Sequence, residues 1–191
     1  MDKAKVLFRG SKLCMGTFAL VCLALFLLPA GCRNNEEPKV RTPGPSAPIF
    51  AENRLKQLRD AANQNPGDVS AWINLGNASM DNHLYQDAID AYQKALDLDP
   101  KDVNVRVDMG TCFRNIGKFD RAIEEYRKAI RIDPRHLNAH RNLGIVLGFD
   151  LGRREDAIKE LQTSLTLAPS GPVADNIRKA IEELRRRQMI K

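Results

Sequence analysis

Two histidines four residues apart, in the run His136-Leu137-Asn138-Ala139-His140, are the sharpest candidates for chemistry in this chain. On one helix that spacing can put both imidazoles on the same face as metal ligands. No glutamate follows the first histidine as it does in zinc proteases, and His136 falls at a turn rather than within a helix, so the pair reads as structural. The acidic run Asp97-Leu98-Asp99-Pro100-Lys101-Asp102 has the density of a calcium loop. There, however, Lys101 stands at a ligand position and the glycine such a loop needs is missing. No glycine-rich phosphate loop appears, nor any Ser/His/Asp or Cys/His set with a recognisable context. Cys112, beside Phe113, reads as a small core residue. Arg185-Arg186-Arg187 with Lys191 has no aromatic residues between its cations, which suits a solvated helix end better than a nucleic-acid site. The expectation is a protein that is not an enzyme, with no metal and no cofactor.

The elements that would position any site have to come from the rest of the 191 residues. A charged fraction of 28% with 43% apolar residues is ordinary for a globular domain, and four cysteines are too few for a disulfide scaffold. The net charge of +6 suggests nucleic acid only until it is located. Lys3, Lys5, Arg9 and Lys12 against Asp2 place half of it in residues 1–32. After Lys12 an uncharged run from Leu13 to Ala30 precedes Gly31 and Cys32. A basic flank, an apolar stretch and small residues before a break are the layout of an export signal.

The run ends in Leu28-Pro29-Ala30-Gly31-Cys32, which resembles a bacterial lipoprotein lipobox, with Cys32 as the lipidated residue; Pro29 stands where that pattern usually has leucine. Two alternatives stay open. Residues 13–30 make an 18-residue stretch at the lower edge of what spans a bilayer, so the segment could remain as a membrane anchor. It could also be removed to release a soluble product. With Cys14 and Cys22 inside the run and Cys32 assigned to lipid, Cys112 has no intramolecular disulfide partner. Residues 33–49 hold Pro38, Pro43, Pro45 and Pro48 and read as a tether. The expected location is the cell envelope, with the folded part outside the cytoplasm.

From residue 50 onward the chain repeats itself. Gly76, Gly110 and Gly144 are spaced 34 and 34; Pro66, Pro100, Pro134 and Pro169 are spaced 34, 34 and 35; Ala88, Ala122 and Ala157 are spaced 34 and 35. One extra residue between Gly148 and Glu155 accounts for every 35. Each unit shows two helical stripes. Trp72, Leu75, Gly76 and Ser79 form the first in unit one, and Tyr85, Ala88, Ile89, Tyr92, Ala95 and Leu96 the second. A glycine within a helix costs about 1 kcal/mol against alanine. Its recurrence predicts a close approach of the two helices, with Ala88, Ala122 and Ala157 as the small surface opposite.

Trp72, Leu75, Gly76, Tyr85, Ala88, Tyr92, Ala95 and Pro100 together resemble the tetratricopeptide repeat signature. The resemblance covers residues 69–102, 103–136 and 137–171, with Arg106 and His140 replacing the first aromatic and Ser164 the late alanine. It implies an all-α solenoid of three helix-turn-helix repeats with flanking capping helices, a half-repeat over 50–68 and a closing helix over 172–191. In that family the first helices line a concave groove that holds an extended peptide or a helix. Carried over, the lining is Ser70, Ile73, Asn77, Met80 and Asp81, then Asn104, Val107, Thr111, Arg114 and Asn115, then Asn138, Arg141, Ile145 and Phe149. Members that clamp a C-terminal carboxylate use a Lys/Asn/Arg set. Here those positions read Ile73, Asn77, Asp108, Asn138 and Asn142, and only Asn77 agrees. The implied function is a non-enzymatic adaptor that recruits a protein or peptide at the envelope and binds no nucleic acid. The alternative is a homo-oligomeric self-assembly module.

Overall fold

The computed structural model describes residues 47–189, with side chains from Glu52 to Arg187. The expected export segment, Cys32 and residues 33–46 of the tether lie outside that range. The described residues form eight α-helices: α1 (Ala47–Gln64), α2 (Val69–Asp81), α3 (Tyr85–Leu98), α4 (Val103–Asn115), α5 (Phe119–Ile132), α6 (Leu137–Ile145), α7 (Arg154–Leu167) and α8 (Pro172–Met189). A single π turn, Val146–Asp150, continues α6. No helix among the described residues is long and apolar enough to cross a membrane. Helix α1 takes in residues 47–49, read from the sequence as tether. Pro48 then lies in the first turn, where its missing N–H removes no helical bond.

Each repeat starts its first helix with a side-chain cap at the same register. Asp68 accepts from the Ser70 N–H at 2.8 Å, Asp102 from the Val105 N–H at 3.0 Å, and the His136 Nδ1 from the Ala139 N–H at 3.2 Å. The turns before α4 and α6 are tied by Asp99 and Asp133, whose side chains accept from the Lys101 and Arg135 N–H groups at 3.1 and 2.9 Å. The acidic run therefore spends oxygens of Asp99 and Asp102 on its own backbone.

Four residues into each first helix, three unlike side chains do one job. The Trp72 Nε1–H donates to the Pro66 carbonyl at 3.0 Å, the Arg106 guanidinium to the Pro100 carbonyl at 2.7 Å, and the His140 Nε2–H to the Pro134 carbonyl at 3.0 Å. In α8 the Arg178 guanidinium donates in turn to the Pro169 carbonyl. The second and third donors have a further partner on the second helix of their own repeat. Arg106 bonds Glu125 at 2.8 Å, and His140 Nδ1 bonds Glu160 at 2.7 Å.

The recurring glycines mark close approaches, and the nearest atoms opposite belong to larger side chains than the alanines the sequence suggests. A Cβ at Gly76 would lie 2.5 Å from the Tyr92 ring, and one at Gly110 2.7 Å from the Tyr126 ring. Both rings are fully buried, as are Ala88 and Ala122. In the third repeat the alanine is among the nearest neighbours. There a Cβ at Gly144 would meet Leu161 at 2.7 Å and the Ala157 carbonyl at 3.0 Å.

The extra residue of the third repeat is absorbed by the π turn. The Leu151 N–H donates to the Val146 carbonyl at 3.1 Å, five residues back, and the Arg153 N–H to the Leu147 carbonyl at 2.7 Å. Gly148 within it packs on Leu184 of α8, so the wider turn meets the closing helix. Helix α8 buries Ala174, Ile177, Ile181 and Leu184 along one face, and each large apolar side chain so covered contributes roughly 1.5–3 kcal/mol. A continuous core joins α3 to α8, while Ala62 of α1 packs with Leu75 and Ala91 in a smaller separate cluster.

Candidate partner-binding face

Helices α2, α4 and α6 carry the expected lining, and a polar ladder connects them to the second helices beneath. The Tyr92 hydroxyl donates to Asn77 Oδ1 at 2.7 Å. One repeat on, the Thr111 hydroxyl donates to the Val107 carbonyl at 3.0 Å and lies 3.2 Å from the Tyr126 hydroxyl; it accepts from Asn142 Nδ2 at 3.3 Å. Burial pushes the Tyr92 hydroxyl well above the ordinary tyrosine range and the Tyr126 hydroxyl up to about 12, so both stay protonated donors. The ladder ends in the third repeat, where Leu161 stands in place of the tyrosine.

Asp108 sits on α4 at the register of Asn74 and Asn142, the one acid where the sister repeats have amides. Burial, with Asp102 adding to it, raises its carboxyl to about 6. No salt bridge to Asp108 occurs among the described residues. Cys112, fully buried one turn further on, has its thiol pushed up to about 12 by burial first and Asp108 second, which makes it a poor nucleophile.

The expected lining divides into residues open to a partner and residues used by the fold. Ser70, Asn77, Asp81, Asn104, Asn115 and Asn138 are exposed, and Ile73, Met80, Arg141 and Ile145 are half-buried. Asn104 is tied to His136 Nε2 at 3.0 Å, and Asn115 donates to the Thr111 carbonyl at 2.9 Å. Val107 is core, at 4% exposure, and supports the face from below. Arg114 is held by Asp150 of the π turn, with Nε–Oδ2 at 2.5 Å, and that bond raises its pKa further. Phe149 lies under the Arg187 guanidinium, 5.5 Å from the ring centroid, and so faces the closing helix. The two histidines share no position for a ligand: His136 is bonded to Ala139 N–H and Asn104, His140 to Glu160 and Pro134.

Asp108, Asp150 and the two tyrosine hydroxyls are the members of this face absent from the sequence-derived lining. The 34-residue register of Asn74, Asp108 and Asn142 carries the signal for Asp108. Nothing in the sequence points to the Arg114–Asp150 pair, which spans two repeats.

Comparison with known proteins agrees with this geometry. The "Tetratricopeptide repeat" family profile matches residues 69–102, a second "TPR repeat" profile matches 110–148, and a further "Tetratricopeptide repeat" profile matches 91–124. No curated protein matches the chain in sequence. Among solved structures, the Arabidopsis OM64 TPR domain is 21% identical, with a TM-score of 0.57 over 62% of this chain and 98% of that one. A crystal structure of MamA protein is 26% identical, with a TM-score of 0.56 over 61% of this chain and 63% of that one. The first TPR of Spaghetti (RPAP3), bound to the HSP90 peptide SRMEEVD, is 22% identical, with a TM-score of 0.58 over 63% of this chain and 93% of that one. With the donors, caps and glycine contacts recurring at the same 34-residue register, the helical hairpins of residues 69–148 are tetratricopeptide repeats.

Proposed function

We propose that this protein is a non-catalytic scaffold that holds a segment of a partner protein against the α2–α4–α6 face, and that residues 1–32 anchor it at the bacterial envelope. The observation that carries the first part is Asp108, a half-buried acid without a cation where the sister repeats place asparagine. Leaving it there costs stability, as burying an uncompensated charge does. A partner residue presenting a cation or a strong donor over α4 would supply the missing counter-charge. Asn77, Asn138 and Arg141 on the same helices offer amide and guanidinium groups for a partner's backbone, and interactions of this kind are made residue by residue along an extended segment. The basic flank, the apolar run and Cys32 support the envelope location.

A photo-crosslinker placed at Asn138 in the native envelope tests the scaffold reading. A discrete crosslinked protein is expected from that position, lost on Asp108→Asn or Arg141→Ala, and absent from a crosslinker at exposed Asp156 on α7. The same bands from both positions would sink the face as the site. A band at twice the chain's own mass would favour self-assembly over a foreign partner. Metabolic labelling with a fatty acid tests the anchor: label is expected on the wild type and absent from Cys32→Ala. An unlabelled wild type leaves the uncleaved apolar anchor as the alternative.

A further inference from the structure

Among the described residues the seam between successive second helices is crossed three times, and at the first crossing the filling side chains are small. Between α3 and α5, Phe113 rises from α4 to 7% exposure, with the Arg121 guanidinium 5.5 Å from its ring centroid. The Arg106–Glu125 pair at 2.8 Å closes the wall beside it. Between α5 and α7, Leu147 at 2% exposure and the His140–Glu160 pair at 2.7 Å do the same. One period earlier those places hold Ser79 and Ala91, a hydroxymethyl and a methyl group. Between α1 and α3 they leave a cleft of about 410 Å³, within the roughly 300–1,000 Å³ usual for ligand sites.

Trp72, Leu75 and Ala91 give the cleft apolar walls, and Arg59 lies at its rim, 2.9 Å from Asp87. Ser79 lines it and is fully buried, yet its hydroxyl has no hydrogen-bond partner among the described residues. A buried hydroxyl without a partner is disfavoured unless something supplies one. Ser79 and Asn77, two residues apart on α2, point to opposite sides of that helix, so the cleft is separate from the α2–α4–α6 face and does not depend on its function.

We propose that this cleft binds a single phenol ring, whether a tyrosine side chain of a partner or a free small phenol. The second repeat shows the arrangement: an aromatic ring in the seam with a guanidinium over it. In the first repeat the ring comes from outside, packs on Trp72 and Leu75 beneath Arg59, and places its hydroxyl against Ser79 Oγ.

Titration of the full chain, followed at the Trp72 indole resonance, tests this with p-cresol, toluene and the blocked peptide acetyl-Ala-Tyr-Ala-amide. p-Cresol is expected to bind about ten-fold more tightly than toluene, the ~1.4 kcal/mol of one buried hydrogen bond. Ser79→Ala is expected to erase that preference while toluene binding stays unchanged. Ser79→Phe, which supplies the ring from within as Phe113 does, is expected to abolish binding of both. A peptide that binds more tightly than p-cresol assigns the ring to a protein partner, and the reverse order assigns it to a free phenol. The proposal is overturned if neither p-cresol nor the peptide perturbs Trp72, or if wild type and Ser79→Ala hold p-cresol and toluene equally well.

Discussion

Where the first repeat packs Trp72 against Ala91, the second sets Arg106 against Glu125 and the third His140 against Glu160. Residue by residue these are unrelated choices. In the structure each first member donates an N–H to the carbonyl of the proline that ends the unit before it. The repeat keeps that donor, while the wall beside it is small and apolar in the first repeat and ionic in the second and third. It follows that the two members of a pair must change together. A tryptophan suits a small neighbour on the second helix, and a cation suits a glutamate.

The largest effect comes from breaking one pair. Arg106→Met removes the bonds to both Glu125 and the Pro100 carbonyl, and leaves Glu125, at 2% exposure, with Lys128 alone at 2.8 Å. Breaking a buried ion pair costs about 3–5 kcal/mol; with Lys128 still in place, a loss of about 2–3 kcal/mol in urea denaturation is expected. The swap Arg106→Trp with Glu125→Ala builds the first repeat's pair in the second. It should be more stable than the sum of its single variants by about 1–2 kcal/mol, measured as a double-mutant cycle. Strict additivity would mean that the two repeats do not use interchangeable solutions.

The glycine contacts separate the repeats in a second way. A Cβ at Gly144 meets the Ala157 backbone carbonyl as well as Leu161, whereas the three atoms nearest one at Gly110 all belong to the Tyr126 ring. Backbone yields less than a side chain. Overpacking costs about 1–3 kcal/mol, and removing a glycine from a helix returns about 1 kcal/mol. Gly144→Ala is expected to lose about 2 kcal/mol and Gly110→Ala about 1 kcal/mol in the same denaturation experiment. Equal losses would show that the tyrosine ring is as immovable as the α7 backbone.

Periodicity made the helix pairs legible because Gly76, Gly110 and Gly144 and the closing prolines answer to backbone geometry, which tolerates little substitution. The extra residue after Gly144 was legible for the same reason, though not that it is taken up as a π turn. What was hidden is chemistry shared by unlike residues. Arg106 and His140 read as departures from an aromatic because residue type conceals a common N–H donor. Tyr92 and Tyr126 read as core stripe, although their hydroxyls reach Asn77 and Thr111 on the first helices. Arg114 read as available because its partner Asp150 lies 36 residues away in the inserted turn. Contacts fixed by the path of the chain across repeats leave no mark in local spacing.

Asp108 tests whether the second repeat gives up stability for its acid. Burial raises its carboxyl from 3.8 to about 6, so the folded state binds the proton more tightly than the unfolded chain does. The protein is therefore most stable with respect to this group below about pH 4, and loses that contribution as pH rises to 6. Asp108→Asn, which restores the residue of the sister repeats, should match wild type at pH 4 and exceed it by about 1–2 kcal/mol at pH 8. That is roughly half the value of the full shift at ~1.36 kcal/mol per unit, because water still reaches the carboxyl in part. A gain that is the same at both pH values would assign the effect to packing rather than charge.

The smallest expected effect lies in the turn between the helices of each pair. Gly117 and Gly152 occupy it in the second and third repeats with φ of +75° and +70°, and the first repeat puts His83 there at +61°. A side chain in that left-handed region costs roughly 1 kcal/mol that glycine does not. His83 recovers part of it through the bond of its Nδ1 to the Tyr85 hydroxyl at 2.9 Å, but both groups are solvent-reached, and glycine adds freedom to the unfolded chain. His83→Gly is therefore expected to stabilise by only about 0.5 kcal/mol, seen as a higher urea midpoint with an unchanged slope. The reciprocal Gly117→His has no tyrosine two residues on, since Phe119 stands there, and should lose about 1 kcal/mol. A loss in His83→Gly as well would mean that the histidine–tyrosine bond outweighs the backbone cost, and that the first repeat's turn is stabilised by its side chains rather than merely tolerated.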